Sequence, residues 1–138
     1  MKRTSLRRSS PKPRLYHSTG PTPATALLVR ARAGMCCEHC GVRVGPVRGE
    51  DHHIHHRRAR KLGGSRDAAT NLASNLLLLC PSSHEYIESN RAEAYGFGWL
   101  VRMAQDPAEV PVLVGNGRRL LYLTDDGRYR IEPPAVAS

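Results

Sequence analysis

Residues 75–84 read NLLLLCPSSH, with four successive leucines between an asparagine and a cysteine. The apolar run leads directly into the segment PSSHEYIESNRAEAYG, and Pro81 in that segment is typical of a helix start. Ser82 or Ser83 is the expected capping residue, since both types cap helices well. The stretch therefore predicts an apolar segment that passes into a helix.

A second informative stretch, DHHIHHRRARKLGG at residues 51–64, places four histidines within five positions. Residues 51–58 are predicted as a strand, which Gly63-Gly64 ends before a loop. Any one of these histidines, taken alone, is better explained as an exposed or hydrogen-bonded side chain. The cluster as a whole indicates a metal site.

Cys37 and Cys40 form a CxxC motif, CEHC, followed by glycine. Two thiolates at this spacing can bind one zinc ion, because the turn directs both sulfurs to the same side. Cys80, much further along the chain, is the expected third ligand. The alternative is a pair of reduced cysteines without a metal.

The fourth zinc ligand is left open by the sequence. A second CxxC would place a cysteine at position 83, where the chain has Ser83. Cys36, His39 or a water molecule could complete the site, or zinc could be absent.

The charge is unevenly distributed. The chain carries +9 overall, with 15 basic and 4 acidic residues in 1–84 against 6 and 8 in 85–138. A basic front part favours nucleic acid as the partner, although a solvated surface would have the same composition. No segment approaches a membrane span and no apolar stretch follows the basic start, so we expect a reducing, cytoplasmic setting and no membrane partner.

The flanking regions have simpler patterns. The Ser-, Pro- and Arg-rich residues 1–22 are predicted to be a disordered basic arm. Residues 23–33 suit a short helix with Thr22 as N-cap and Gly34 as its end. After Gly98, two apolar runs surround Asn116-Gly117, which predicts a β-hairpin or three short strands.

Taken together, CEHC (37–40), HH (55–56), GG (63–64), NLLLLC (75–80) and a histidine at 84 resemble the HNH endonuclease family. The resemblance covers roughly residues 30–95 and is strongest to small HNH proteins of actinobacterial phages, which carry stretches similar to IHHRR, DPAEVP and LTDDG. It implies an α+β protein with a small ββα-metal core and a zinc knuckle. The expected domains are the arm (1–22), the HNH nuclease core (23–98) and a C-terminal β-hairpin extension (99–138).

The resemblance also implies roles for individual histidines. His55 and His84 would hold a catalytic divalent ion, Mg²⁺ or Mn²⁺. His56 would be the general base, since it stands seven positions before Gly63, as the family pattern requires. His52 and His53 would then be phosphate contacts or surface residues.

Two further assignments remain open at this level. Asn75 would hold the His56 segment in place, with Asn71 as the alternative and a plain turn or cap role for either. Glu88, four residues after His84, would lie on the same helical face and could be an extra metal ligand or an exposed glutamate.

Four basic residues that follow the histidine pair are expected to bind the DNA backbone: Arg57, Arg58, Arg60 and Lys61. A solvated charged loop is the simpler alternative.

The resulting functional hypothesis is a metal-dependent DNA endonuclease, a phosphodiester hydrolase, linked to phage packaging proteins in the cytoplasm of a bacterial host. The alternatives are a non-catalytic, zinc-stapled nucleic-acid-binding protein on the same scaffold, and a zinc-binding interaction module that leaves the basic front part unexplained.

Overall fold

The computed structural model describes residues 20–59 and 68–135. Within these residues the chain is a small α+β protein with three α-helices and two antiparallel sheets, which confirms the predicted class. The elements are α1 (Pro23–Ala33), β1 (His53–His56), β2 (Leu76–Leu79), α2 (Pro81–Ser89), α3 (Arg91–Gly96), β3 (Val112–Val114), β4 (Arg119–Leu123) and β5 (Tyr129–Arg130). Most of the predicted basic arm, together with Arg60, Lys61 and Gly63-Gly64, lies outside the described residues.

Helix α1 has the bounds that its sequence predicts. The Thr22 hydroxyl accepts a hydrogen bond from the Thr25 amide, and Gly34 ends the helix in the left-handed region at φ 59°. Ala26 and Val29 face the core. None of the helices in the described part of the chain is long and apolar enough to cross a membrane.

Strands β1 and β2 form an antiparallel pair in which His55 lies opposite Leu77 and His56 opposite Leu76. All four leucines of β2 are fully buried. A strand covered on both faces needs a continuous apolar run rather than an alternating one, which accounts for the sequence LLLL. The order β1, connection, β2, α2 brings the histidine stretch beside the start of α2.

Helix α2 begins at Pro81, but its cap differs from the prediction. The residue before it, Cys80, is the N-cap, and its sulfur accepts a hydrogen bond from the Ser83 amide. Ser82 and Ser83 were predicted as caps, and this prediction is wrong because both lie inside the first turn. The helix packs on β1 and β2 and ends at Asn90, after which α3 begins.

The C-terminal region folds as a three-stranded meander, β3-β4-β5. Asn116, at φ 61°, lies in the turn between β3 and β4. Val112, Leu121 and Leu123 are buried in the same hydrophobic cluster as the leucines of β2. The meander therefore closes the core that positions the histidines.

Arg57 is the largest departure from the sequence interpretation, because its side chain is fully buried. Its guanidinium donates to the carbonyl oxygens of Gly98, Ser74, Pro107 and Val110 at 2.7–2.9 Å. Burial lowers its pKa to about 9, so it remains protonated at neutral pH. The predicted phosphate contact is wrong for Arg57, because all of these donors bind the protein's own backbone.

We expect Arg57→Met to lower the free energy of unfolding by about 3 kcal/mol or more, since it removes the hydrogen-bond donor of four backbone carbonyl groups. Urea denaturation followed by circular dichroism measures this. The matched control is Arg118→Met in the exposed β3–β4 turn, which should change stability by less than about 0.5 kcal/mol. Equal effects of the two substitutions would contradict a central structural role for Arg57.

Candidate metal and catalytic site

A cavity of about 350 Å³ opens between β1, α2 and α3. Its polar lining consists of His55, His56, Arg57, His84, Glu88, Arg91 and Tyr95. The same cavity is therefore lined by the three histidines for which the sequence predicted a catalytic or metal-binding role. Glu88, the possible extra metal ligand, lines it as well.

His55 is buried and has a defined tautomer. Its Nε2 lies 2.9 Å from the Trp99 carbonyl oxygen, which can only accept, so Nε2 carries the hydrogen. The lone pair is then on Nδ1, 3.9 Å from Glu88 Oε1. Burial lowers the pKa of His55 to about 4, so the imidazole is neutral at physiological pH. A neutral ring oriented by a carbonyl through its other nitrogen is the usual state of a metal-binding histidine.

His55, His84 and Glu88 each offer one ligand atom, and these atoms lie within 4.8 Å of one another. A divalent ion at about 2.1 Å from each ligand requires separations of about 3–4 Å, so the side chains need only small adjustments to hold it. The second Glu88 oxygen accepts a hydrogen bond from Arg91 at 2.9 Å. Glu88 is therefore part of the cluster even though its side chain is 45% exposed.

His53 belongs to the same face of β1 as His55, and the sequence analysis missed its position. Its ring stacks on His84 with the centroids 4.6 Å apart. The alternation of side chains along a strand could have indicated this, since residues two apart share a face. His52 is fully buried, with Nδ1 donating to the Gly45 carbonyl, so the predicted surface or phosphate-contact role for His52 is wrong.

Both candidate asparagines lie near the histidine pair, with different contacts. Asn71 Oδ1 accepts a hydrogen bond from His56 Nε2 at 2.9 Å. Asn75 is fully buried, and its amide bonds to both the N–H and the carbonyl of Arg58. Asn71 thus orients the imidazole, whereas Asn75 holds the backbone that follows it.

Of the remaining predicted phosphate contacts, only Arg58 lies in the described residues. Its side chain is half-buried and donates to the Gln105 carbonyl at 3.0 Å. Arg60 and Lys61 lie outside them. A phosphate role for these three residues remains a prediction.

The second cluster consists of the sulfurs of Cys37, Cys40 and Cys80, which lie within 4.8 Å of one another and could bind a metal ion. No disulfide joins any of the four cysteines. Burial raises the pKa of Cys37. Burial acts the same way on Cys40, but hydrogen bonds, foremost from Ser83, outweigh it and lower the pKa of that thiol.

Neither side chain proposed as a fourth ligand belongs to this cluster. The Cys36 thiol is directed at the Gly34 carbonyl, 3.6 Å away. His39 Nδ1 lies 2.8 Å from the Ser83 hydroxyl, and its ring packs edge-on against Trp99.

No family model, curated protein or solved structure matches the chain.

We expect protein purified under reducing conditions to contain about one zinc per chain, held by the cysteine cluster. Cys80→Ala should lose it, because two thiolates hold zinc far more weakly than three. Cys36→Ala is the matched control and should retain the zinc. Elemental analysis of soluble protein gives the metal content. A full equivalent of zinc in Cys80→Ala would exclude the cluster as the binding site.

Proposed function

We propose that this protein is a metal-dependent endonuclease of the HNH type that hydrolyses phosphodiester bonds in DNA. The observation that carries the proposal is the convergence of His55, His84 and Glu88 around a cavity that His56 also lines. One imidazole from β1 and an imidazole and a carboxylate from α2 could hold a cation beside a potential base, an arrangement suited to hydrolysis of a phosphodiester.

The carboxylate suits Mg²⁺ or Mn²⁺, and the two imidazoles favour Mn²⁺ over Mg²⁺, which prefers oxygen ligands. When bound, the ion would stabilise the negative charge that builds on the phosphate and on the leaving oxygen. The protein's own contribution is to aim the ligand atoms: the Trp99 carbonyl orients His55, and Arg91 holds the second oxygen of Glu88.

His56 is the proposed general base. Its Nε2 donates to Asn71 Oδ1, which makes Nδ1 the basic nitrogen. Imidazole ordinarily titrates near neutral pH, which suits the group that takes a proton from the attacking water. Asn75 fixes the backbone of Arg58 and so limits the movement of the preceding histidine.

Three further features support a nucleic-acid substrate and this family. The order strand, connection, strand, helix agrees with a ββα-metal core. The basic front part of the chain suits a polyanion, and Arg58, Arg60 and Lys61 would supply phosphate contacts. The cysteine cluster beside the start of α2 would act as a structural zinc site.

The biological setting follows from the resemblance alone. Small phage HNH proteins suggest DNA as the partner, phage packaging proteins as associates, and the bacterial host cytoplasm as the compartment.

Wild-type protein should nick or linearise supercoiled plasmid with Mg²⁺ or Mn²⁺. His56→Ala should lower the cleavage rate at least 100-fold, about the smallest contribution expected of a general base. Its DNA affinity should stay within about twofold of wild type, since phosphate contacts determine most of that affinity. Gel-based cleavage rates and fluorescence anisotropy measure the two quantities.

If wild-type protein binds DNA but does not cleave it with any divalent ion tested, the nuclease proposal is refuted. That result would favour the alternative of a non-catalytic nucleic-acid-binding protein.

Glu88→Gln should weaken Mn²⁺ binding about tenfold, which corresponds to about 1.4 kcal/mol, because a neutral amide replaces a charged ligand. The matched control is Glu85→Gln, an exposed glutamate on the same helix, which should leave Mn²⁺ affinity unchanged. Isothermal titration with Mn²⁺ gives both affinities. Equal affinities of the two variants would remove Glu88 from the cation site.

A further inference from the structure

The Ser83 hydroxyl is buried against the sulfurs of the cysteine cluster. Its Oγ lies 3.3 Å from Cys80 Sγ, in the cluster that the Cys37 and Cys40 sulfurs complete. We propose that Ser83 Oγ is the fourth ligand of a metal ion bound by Cys37, Cys40 and Cys80. This inference rests on the proposed structural zinc site and does not depend on nuclease activity.

The separations fit a tetrahedral S₃O site. Zinc–sulfur bonds of about 2.3 Å and a zinc–oxygen bond of about 2.0 Å imply S···S and S···O distances of about 3.8 and 3.5 Å. The Cys40 and Cys80 sulfurs are 3.7 Å apart, and Ser83 Oγ is 3.3 Å from Cys80 Sγ. The oxygen therefore already lies near a ligand position.

The backbone explains why the oxygen lies there. Ser83 follows Cys80 by three residues, the same spacing that separates Cys37 from Cys40. The Cys80 sulfur also accepts a hydrogen bond from the Ser83 amide in the first turn of α2. The two residues thus form a CxxS half-site opposite the CxxC half-site.

His39 is the positioning residue for this hydroxyl. Its Nδ1 lies 2.8 Å from Ser83 Oγ, and its ring is packed against Tyr86 and Trp99. If the hydroxyl donates its hydrogen to Nδ1, its lone pairs are left for a metal ion among the sulfurs. The serine oxygen and the cysteine sulfurs then present lone pairs to one another, and a cation between them removes the electrostatic repulsion between these atoms.

The test uses full-length protein loaded with Co²⁺, whose visible absorption reports the ligand set, and with Zn²⁺ in competition with a chelator. Ser83→Ala should alter the Co²⁺ spectrum, weaken Zn²⁺ binding about tenfold, and open the site to added cyanide, which wild type excludes. Ser82→Ala, an exposed neighbour, should behave as wild type. Ser83→Cys should give a four-sulfur spectrum, and His39→Ala should weaken Zn²⁺ binding less than Ser83→Ala does.

An unchanged Co²⁺ spectrum together with an unchanged Zn²⁺ affinity in Ser83→Ala would show that Ser83 is not a ligand and overturn the proposal. If Ser83→Ala does not fold, Ser83→Cys decides: a spectrum without a fourth sulfur places residue 83 outside the coordination sphere. Wild type that binds neither metal through its thiolates would refute the zinc site itself. Plasmid cleavage, scored separately, distinguishes each of these results from failure of the nuclease proposal.

Discussion

The second edge of strand β2 is closed by a buried ion pair rather than by another strand. Glu38 accepts from the Leu78 amide through its carboxylate, and its own amide donates to the Leu78 carbonyl, both at 2.8 Å. Arg32 donates to the Leu76 carbonyl at 2.7 Å and contacts Glu38 at the same distance. Leu76 and Leu78 are fully buried, so their backbone groups on this edge would lose their hydrogen-bond partners if Arg32 and Glu38 were removed.

The same carboxylate connects three parts of the molecule. Glu38 lies inside the CEHC motif, so its ion pair holds the knuckle against β2. The Tyr129 hydroxyl donates to Glu38 Oε1 at 2.7 Å, which attaches β5 to the same point, and burial raises the pKa of this tyrosine. Breaking one member of such a pair leaves a buried charge without compensation. The knuckle, strand β2 and the C-terminal meander therefore depend on one carboxylate.

The sequence predicted those features that depend on local chemistry. Helix α1 begins and ends where Thr22 and Gly34 predict. The candidate metal ligands were also found, because short motifs specify them. Arg57 and Arg58 are adjacent and of one type, yet Arg57 alone is fully buried. Its carbonyl partners lie as far as Val110, and no periodicity near residue 57 encodes such long-range contacts.

The start of helix α2 couples the two clusters. Ser83 and His84 are consecutive, and adjacent helical residues point about 100° apart. Ser83 therefore faces the cysteine sulfurs while His84 faces the cavity. His55 is fixed independently, through the Trp99 carbonyl. A metal ion at the cysteines would thus fix the start of α2, and with it the positions of His84 and of Glu88 one turn later. His55, the ligand opposite them, does not depend on that metal. A metal ion at the cysteine cluster would in this way determine the geometry of the candidate cation site, although no cysteine takes part in the proposed chemistry.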